Sequence, residues 1–224
     1  MYEYLVHIYG PQQWWPAETP FEVIAGAYLT QNTSWRAVER SIANLRDRRV
    51  LTVAGIREIP EQKLRELIRP SGYMVRKAAA LKAFVSMLDT DFAGCLENLA
   101  PVPTELLRPR LLALPGVGPE TADAILLYAL GKPAMVVDEY LRRVATRHDL
   151  LPEKSKYTQI QTLAKGAFSG DPAGALPQHY NEFHALVVTI GKSYCGRIPK
   201  CQECPLKKFL PRPSQRSASP YPVP

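Results

Sequence analysis

The sequence predicts an all-α protein. Apolar residues recur at helical spacing along most of the chain, helix-start signals stand where those runs begin, and alternating apolar–polar stretches are scarce. The first such element opens at Thr19-Pro20-Phe21-Glu22: a capping threonine, proline at the first helical position, and glutamate three residues after the cap. Phe21, Ile24, Ala25, Tyr28 and Leu29 then fall on one face. Ser34 is placed to cap a second helix whose stripe is Trp35, Val38, Ile42 and Leu45. Amphipathic runs follow over 61–68, 74–88 and 119–130, and again over 138–148, 156–168 and 179–194. No internal repeat is found. From Phe209 onward the sequence is rich in Pro and Ser without a core pattern, and 209–224 is assigned to a disordered tail.

With 46% hydrophobic residues among 224, the chain can bury a substantial core. Its net charge of +7 favours a polyanionic partner, although ribosomal and membrane-surface proteins share that property. Placement is more telling: between Arg36 and Lys82 twelve Lys or Arg face five Asp or Glu. No run reaches the roughly eighteen uncharged apolar residues of a membrane span. Met1 to Gly10 also lacks a basic segment followed by a long apolar one, so a cytoplasmic protein is expected. Three of the four cysteines crowd into Cys195, Cys201 and Cys204, which in a reducing compartment reads as metal chemistry.

The most specific string is Leu114-Pro115-Gly116-Val117-Gly118, followed by the helical run through Leu130. Two glycines around one apolar residue let the backbone turn tightly and approach another molecule, and amides gathered at such a turn suit a phosphate. Taken alone, the string fits any inter-helix turn. Lys132-Pro133 then breaks the helix, and Ala134-Met135-Val136-Val137 leads into Asp138, twenty residues beyond Gly118. A short carboxylate there is by itself a helix cap.

Together these residues resemble the hairpin–Gly/Pro–Asp signature of the endonuclease III (helix–hairpin–helix) superfamily of DNA glycosylases. Gly72-Tyr73 with Lys77-Ala78, Gln31 at a helix end, and the stretch from His184 to Cys195 also match. The resemblance implies two all-helical domains flanking a DNA-binding cleft: a helical barrel with the hairpin over 20–132, and a second domain joining 1–19 to 133–208. It implies a monomer acting on double-stranded DNA with a damaged base, with Asp138 as the catalytic carboxylate. Cleaving the N-glycosidic bond builds positive charge on the sugar, which a carboxylate in a low-dielectric cleft stabilises while orienting water. Family members that also cut the backbone carry a lysine two residues after the second hairpin glycine. Here that residue is Glu120, which cannot form an imine, so base removal without efficient lyase activity is implied. Glu120 also suits a helix N-terminus electrostatically.

Trp14-Trp15-Pro16, the string Thr30 to Thr33, and Trp35 resemble the 3-methyladenine glycosylase branch, whose corresponding aromatics sandwich the extruded base. Indoles attract cationic alkylated purines, which makes an alkylated purine the expected lesion; equally, tryptophans are common core residues. Oxidised or mismatched pyrimidines, and a silent damage-binding module, are the alternatives. Gln31 and Tyr73 match positions that fill the gap left in the duplex, and otherwise read as helix-end solvation and core packing. Lys192 approaches the pocket or a phosphate, or is simply solvated. Cys195, Cys201 and Cys204 resemble the family's iron–sulfur loop, but the first gap is five residues and Leu210 stands where the fourth cysteine belongs. Cys95 can substitute only if the fold brings it back across about a hundred residues, and otherwise reads as a small buried apolar residue. The expectation is a 4Fe-4S cluster on three cysteines with a foreign fourth ligand, set against a decayed, empty site.

Overall fold

A computed structural model of the chain describes residues 1–12, 14 and 17–211, and among these every regular element is helical. The chain divides into two compact units, one formed by Met1–Trp14 and Met135–Pro224, the other by Trp15–Ala134.

The unit Trp15–Ala134 is built around α2 (Pro20–Leu29), whose residues from Phe21 to Leu29 are all buried. Its start is as expected: the Thr19 hydroxyl accepts from the Glu22 amide at 3.2 Å, with Pro20 at the first position. Buried Glu22 is ion-paired with Arg46 at 2.8 Å, so the carboxylate inside this apolar helix is compensated. Around α2 pack α3 (Trp35–Asp47), α6 (Met74–Asp91) and α8 (Pro119–Ala124), which continues as a π turn over Ile125–Ala129. Ser34 holds the capping position of α3 in extended geometry, but its hydroxyl makes no capping bond. The unit also contains α4 (Val53–Glu58), α5 (Glu61–Leu67) and α7 (Thr104–Leu112).

The other unit contains α1 (Tyr2–Tyr9), α9 (Glu139–Arg147), α10 (Tyr157–Gly166) and α11 (Leu176–Ser193). Here α9 packs along α11, and α1 lies on α11. Leu5, Val144, Leu186, Ile190, Cys195 and Leu206 form one buried cluster, with Phe209 packed against it. Phe209, assigned above to the tail, therefore belongs to the folded unit: it ends a 3-10 turn (Pro205–Phe209), stacks edge-on with Tyr4, and bonds His148 through its carbonyl. Residues 212–224 lie outside the described part.

Candidate active site

In the unit Trp15–Ala134, α7 and α8 are joined by the hairpin Leu114 to Gly118. Gly116 has φ +76°, a conformation that strains any residue with a Cβ, and supplies the turn. Val117 is buried and plugs the hairpin into its unit, so this side chain is not available to a ligand. Gly118 has no atom within 4 Å of where a Cβ would stand, leaving its backbone open to close approach. Arg108 of α7 clamps Asp123 of α8 with bonds of 2.7 and 3.0 Å, and Asp123 is 1% exposed. This two-pronged pair fixes the hairpin's helices relative to each other.

Gln31 turns inward: its amide nitrogen donates to the Gly116 carbonyl and to the Thr121 hydroxyl, both at 2.9 Å. The residue expected to fill a gap in DNA thus stitches the end of α2 to the hairpin in this state. Tyr73, by contrast, is 63% exposed and left-handed (φ +47°, ψ +31°), an uncommon conformation for a bulky residue. It is not a core residue. Glu120 stands exposed in the first turn of α8.

In the other unit, buried Met135 to Val137 leads into Asp138, held by α10: Gln161 donates to the Met135 carbonyl at 2.7 Å, and the Val137 amide donates to the Tyr157 hydroxyl at 3.2 Å. Asp138 caps α9, its Oδ1 accepting from the Leu141 amide at 2.7 Å. The cap uses one oxygen. The other, Oδ2, lies 3.6 Å from His184 Nε2 on α11, with the two side chains 11% and 8% exposed. One face of α11 serves this site twice, because Gly191 stands two turns beyond His184. A Cβ on Gly191 would come within 2.2 Å of the Tyr140 ring on α9, so glycine is what lets the two helices close. Neither His184 nor Gly191 was singled out as a site residue from sequence.

Of the aromatic set, Trp14 is half-buried, with the Lys192 ammonium 5.4 Å from its ring centroid. The preceding segment is pinned to α11, the Gln12 amide donating to Glu182 at 2.6 Å and Thr189 donating to the Gln12 side chain at 3.3 Å. The Trp14 indole N–H is buried and meets no acceptor among the described residues. Trp15 and Pro16 lie outside the described residues. Trp35 is half-buried at the first position of α3, in the unit of the hairpin.

Cys195, Cys201 and Cys204 line one cavity with Arg147, His148 and Leu210. Burial pushes the Cys204 thiol up, toward its neutral form. Arg147 donates to the Cys195 sulfur at 3.2 Å and to the Gly196 carbonyl at 2.8 Å, closing the loop through protein contacts. Cys95 belongs to the other unit and its thiol donates to Glu97 at 2.8 Å, as a residue with a local partner. Among the described residues no three Cys, His, Asp or Glu side chains converge as metal ligands. With Leu210 apolar in the fourth place, the residues as arranged do not fit a four-ligand cluster.

Residues 25–169 match the family model described as "HhH-GPD superfamily base excision DNA repair protein". A putative DNA repair glycosylase of Methanocaldococcus jannaschii is 42% identical over 211 residues, covering 93% of each chain. A thymine-DNA glycosylase of Aeropyrum pernix is 28% identical over 208 residues, 89% of this chain and 86% of that one. Among solved structures, the Helicobacter pylori 3-methyladenine DNA glycosylase bound to 1,N6-ethenoadenine superposes with a TM-score of 0.73 at 33% identity, covering 84% of this chain and 91% of the other. The all-helical fold, the glycine hairpin ahead of a capping aspartate, and these likenesses agree: the chain belongs to the HhH-GPD superfamily of base-excision DNA repair glycosylases.

Proposed function

We propose that the chain is a monofunctional DNA glycosylase in which Asp138 carries the chemistry. The observation that supports this is the division of labour at Asp138: one oxygen caps α9, leaving the second, buried beside His184, to face a reacting sugar. As the N-glycosidic bond breaks, its electron pair leaves with the base and positive charge grows at the sugar carbon. A carboxylate about 4 Å from that charge, at an effective dielectric near 20, contributes roughly 4 kcal/mol, or about a thousandfold in rate. Water then adds to the sugar carbon, and its proton passes by way of Asp138 to solvent or to the departing base. The hairpin backbone at Gly116 and Gly118 holds a phosphate. Glu120 in place of an amine leaves no imine route through that position, hence no efficient lyase step.

For the lesion, the likeness to the 3-methyladenine enzyme and the paired tryptophans support an alkylated purine. A second reading has its own observation. An ammonium 5.4 Å from the Trp14 ring repels a cationic base and, with the buried indole N–H, offers two donors to a carbonyl-bearing one. That favours a neutral pyrimidine, the class acted on by the Aeropyrum relative by its name. Incubation with methylated DNA and, separately, with duplexes carrying uracil or mismatched thymine, followed by chromatography of the released bases, tests both. Free methylpurine supports the first reading and free pyrimidine the second. Release of no base from any of them contradicts the proposed function.

The cysteine loop is read as closing on Arg147 and the surrounding apolar core rather than on iron. It serves as a structural end to α11, and no chemical step depends on it.

A further inference from the structure

We propose that Lys77 is a positioning residue that locks the exposed Tyr73 and the Gln31 stitch into one DNA-facing platform, a role that rests on the glycosylase reading. Lys77 is 4% exposed on α6, a place where an ammonium persists only if its protons are satisfied. Its Nζ donates to two backbone carbonyls, Leu29 and Ser71, each at 2.7 Å. Leu29 is the last residue of α2, whose terminal carbonyls lack partners within the helix. Two residues further on, Gln31 reaches the hairpin at Gly116 and Thr121. Ser71 sits two residues before Tyr73 and is buried, its amide donating to Ser41 Oγ at 3.1 Å and its own hydroxyl to the Ile68 carbonyl at 2.8 Å. One ammonium therefore ties the turn that presents Tyr73 to the helix end that presents Gln31.

The arrangement explains how a tyrosine is held left-handed and outward. Gly72 and Tyr73 both have positive φ, and such a conformation persists only where its surroundings fix it. Ser41 and Lys77 hold the turn from below, while the Lys77 ammonium lies 5.9 Å from the Tyr73 ring centroid. An exposed aromatic ring on a fixed base, joined through Gln31 to a phosphate-binding hairpin, suits insertion into a gap in the base stack. Loosening the base would cost insertion and leave the hairpin's phosphate contacts alone.

The test compares binding to a duplex with a tetrahydrofuran abasic site and to the same duplex intact, for wild type, Lys77→Met, Tyr73→Ala and the double variant. The expected result is that Lys77→Met lowers the preference for the abasic duplex by roughly tenfold, the scale of one lost stacking contact, with affinity for intact duplex unchanged. The double variant should be no worse than Tyr73→Ala alone. Should Lys77→Met fail to fold, Lys77→Gln, which keeps a donor for one carbonyl, should give an intermediate preference. An unchanged preference in the folded variant, additive losses in the double variant, or equal losses on both duplexes would overturn the proposal. Absence of any abasic preference in the wild type would instead count against the glycosylase reading itself.

Discussion

The Oδ2 atom of Asp138 lies 3.6 Å from Nε2 of His184, across the packed pair α9 and α11, with both side chains nearly buried. The distance exceeds a direct hydrogen bond, a spacing that can tighten once substrate is bound. On the proposed reading, His184 orients the oxygen that the cap leaves over. Replacing His184 with Leu should remove the donor that such tightening would bring onto the carboxylate, a contact of about 1.5–3 kcal/mol, slowing single-turnover excision by roughly ten- to a hundredfold. Affinity for abasic DNA should stay the same. Wild-type excision by the variant would show that the cap alone orients Asp138.

Gly191 marks a tight approach between the two helices of that site. A methyl group there meets the Tyr140 ring at 2.2 Å and the Tyr140 Cβ at 2.6 Å, so α9 must move. Gly191→Ala is expected to cost about 1–3 kcal/mol of stability. Because α9 carries Asp138, excision measured well below the melting temperature should fall as well. Trimming the obstructing ring with Tyr140→Leu in the same chain should recover part of the stability. A Gly191→Ala protein with unchanged melting and turnover would contradict the packing account.

Base removal without lyase activity has a direct chemical signature. With Glu120 exposed in the first turn of α8 and no amine at that position, borohydride should trap no enzyme–DNA adduct, and strand cleavage should require added alkali. Glu120→Lys places an amine there and is expected to make an adduct detectable by gel. Efficient trapping by the wild type would show that another amine does this work.

The cysteine loop makes a contrary prediction to that of its family pattern. If it closes on Arg147, protein purified anaerobically should be colourless, without absorbance near ~400 nm from thiolate-to-iron charge transfer. Cys201→Ser should leave its melting temperature unaffected, whereas Arg147→Ala should lower it by removing the bonds to Cys195 and Gly196. A brown protein that bleaches on Cys201→Ser would restore the cluster, with a ligand supplied from outside the cysteines.

The helices around the hairpin were legible because caps and apolar stripes agree: Thr19 bonds as its sequence position suggests, and 138–148 reads as α9 with both flanking residues. Three helices were missed for separate reasons. Pro109 inside α7 reads as a breaker, although the helix tolerates it. In α4, Gly55 reads as punctuation, whereas its missing Cβ lets the Val50 backbone come within 2.6 Å of that place. The third, α1, has no side-chain cap to announce it. At the site, Asp138 stands out through its distance from the hairpin, while its partner does not: a histidine on a mostly apolar helix gives no sign of facing a carboxylate 46 residues earlier. Gln31 shows the same limit, since its partners lie 85 and 90 residues away. Lys77 sits in a motif visible in sequence, but its bonds to two backbone carbonyls involve groups that every residue carries, and only folding selects which.

Asp138→Asn tests the central claim most directly. The amide can still cap α9 through its oxygen, so the helix should form and the protein should melt near the wild-type temperature. What it loses is the negative charge at the reacting sugar, worth about 4 kcal/mol at an effective dielectric near 20. Single-turnover release of the base that the wild type excises should therefore fall by roughly a thousandfold, with affinity for abasic-site duplex retained. Unchanged excision by a folded Asp138→Asn protein would contradict the account.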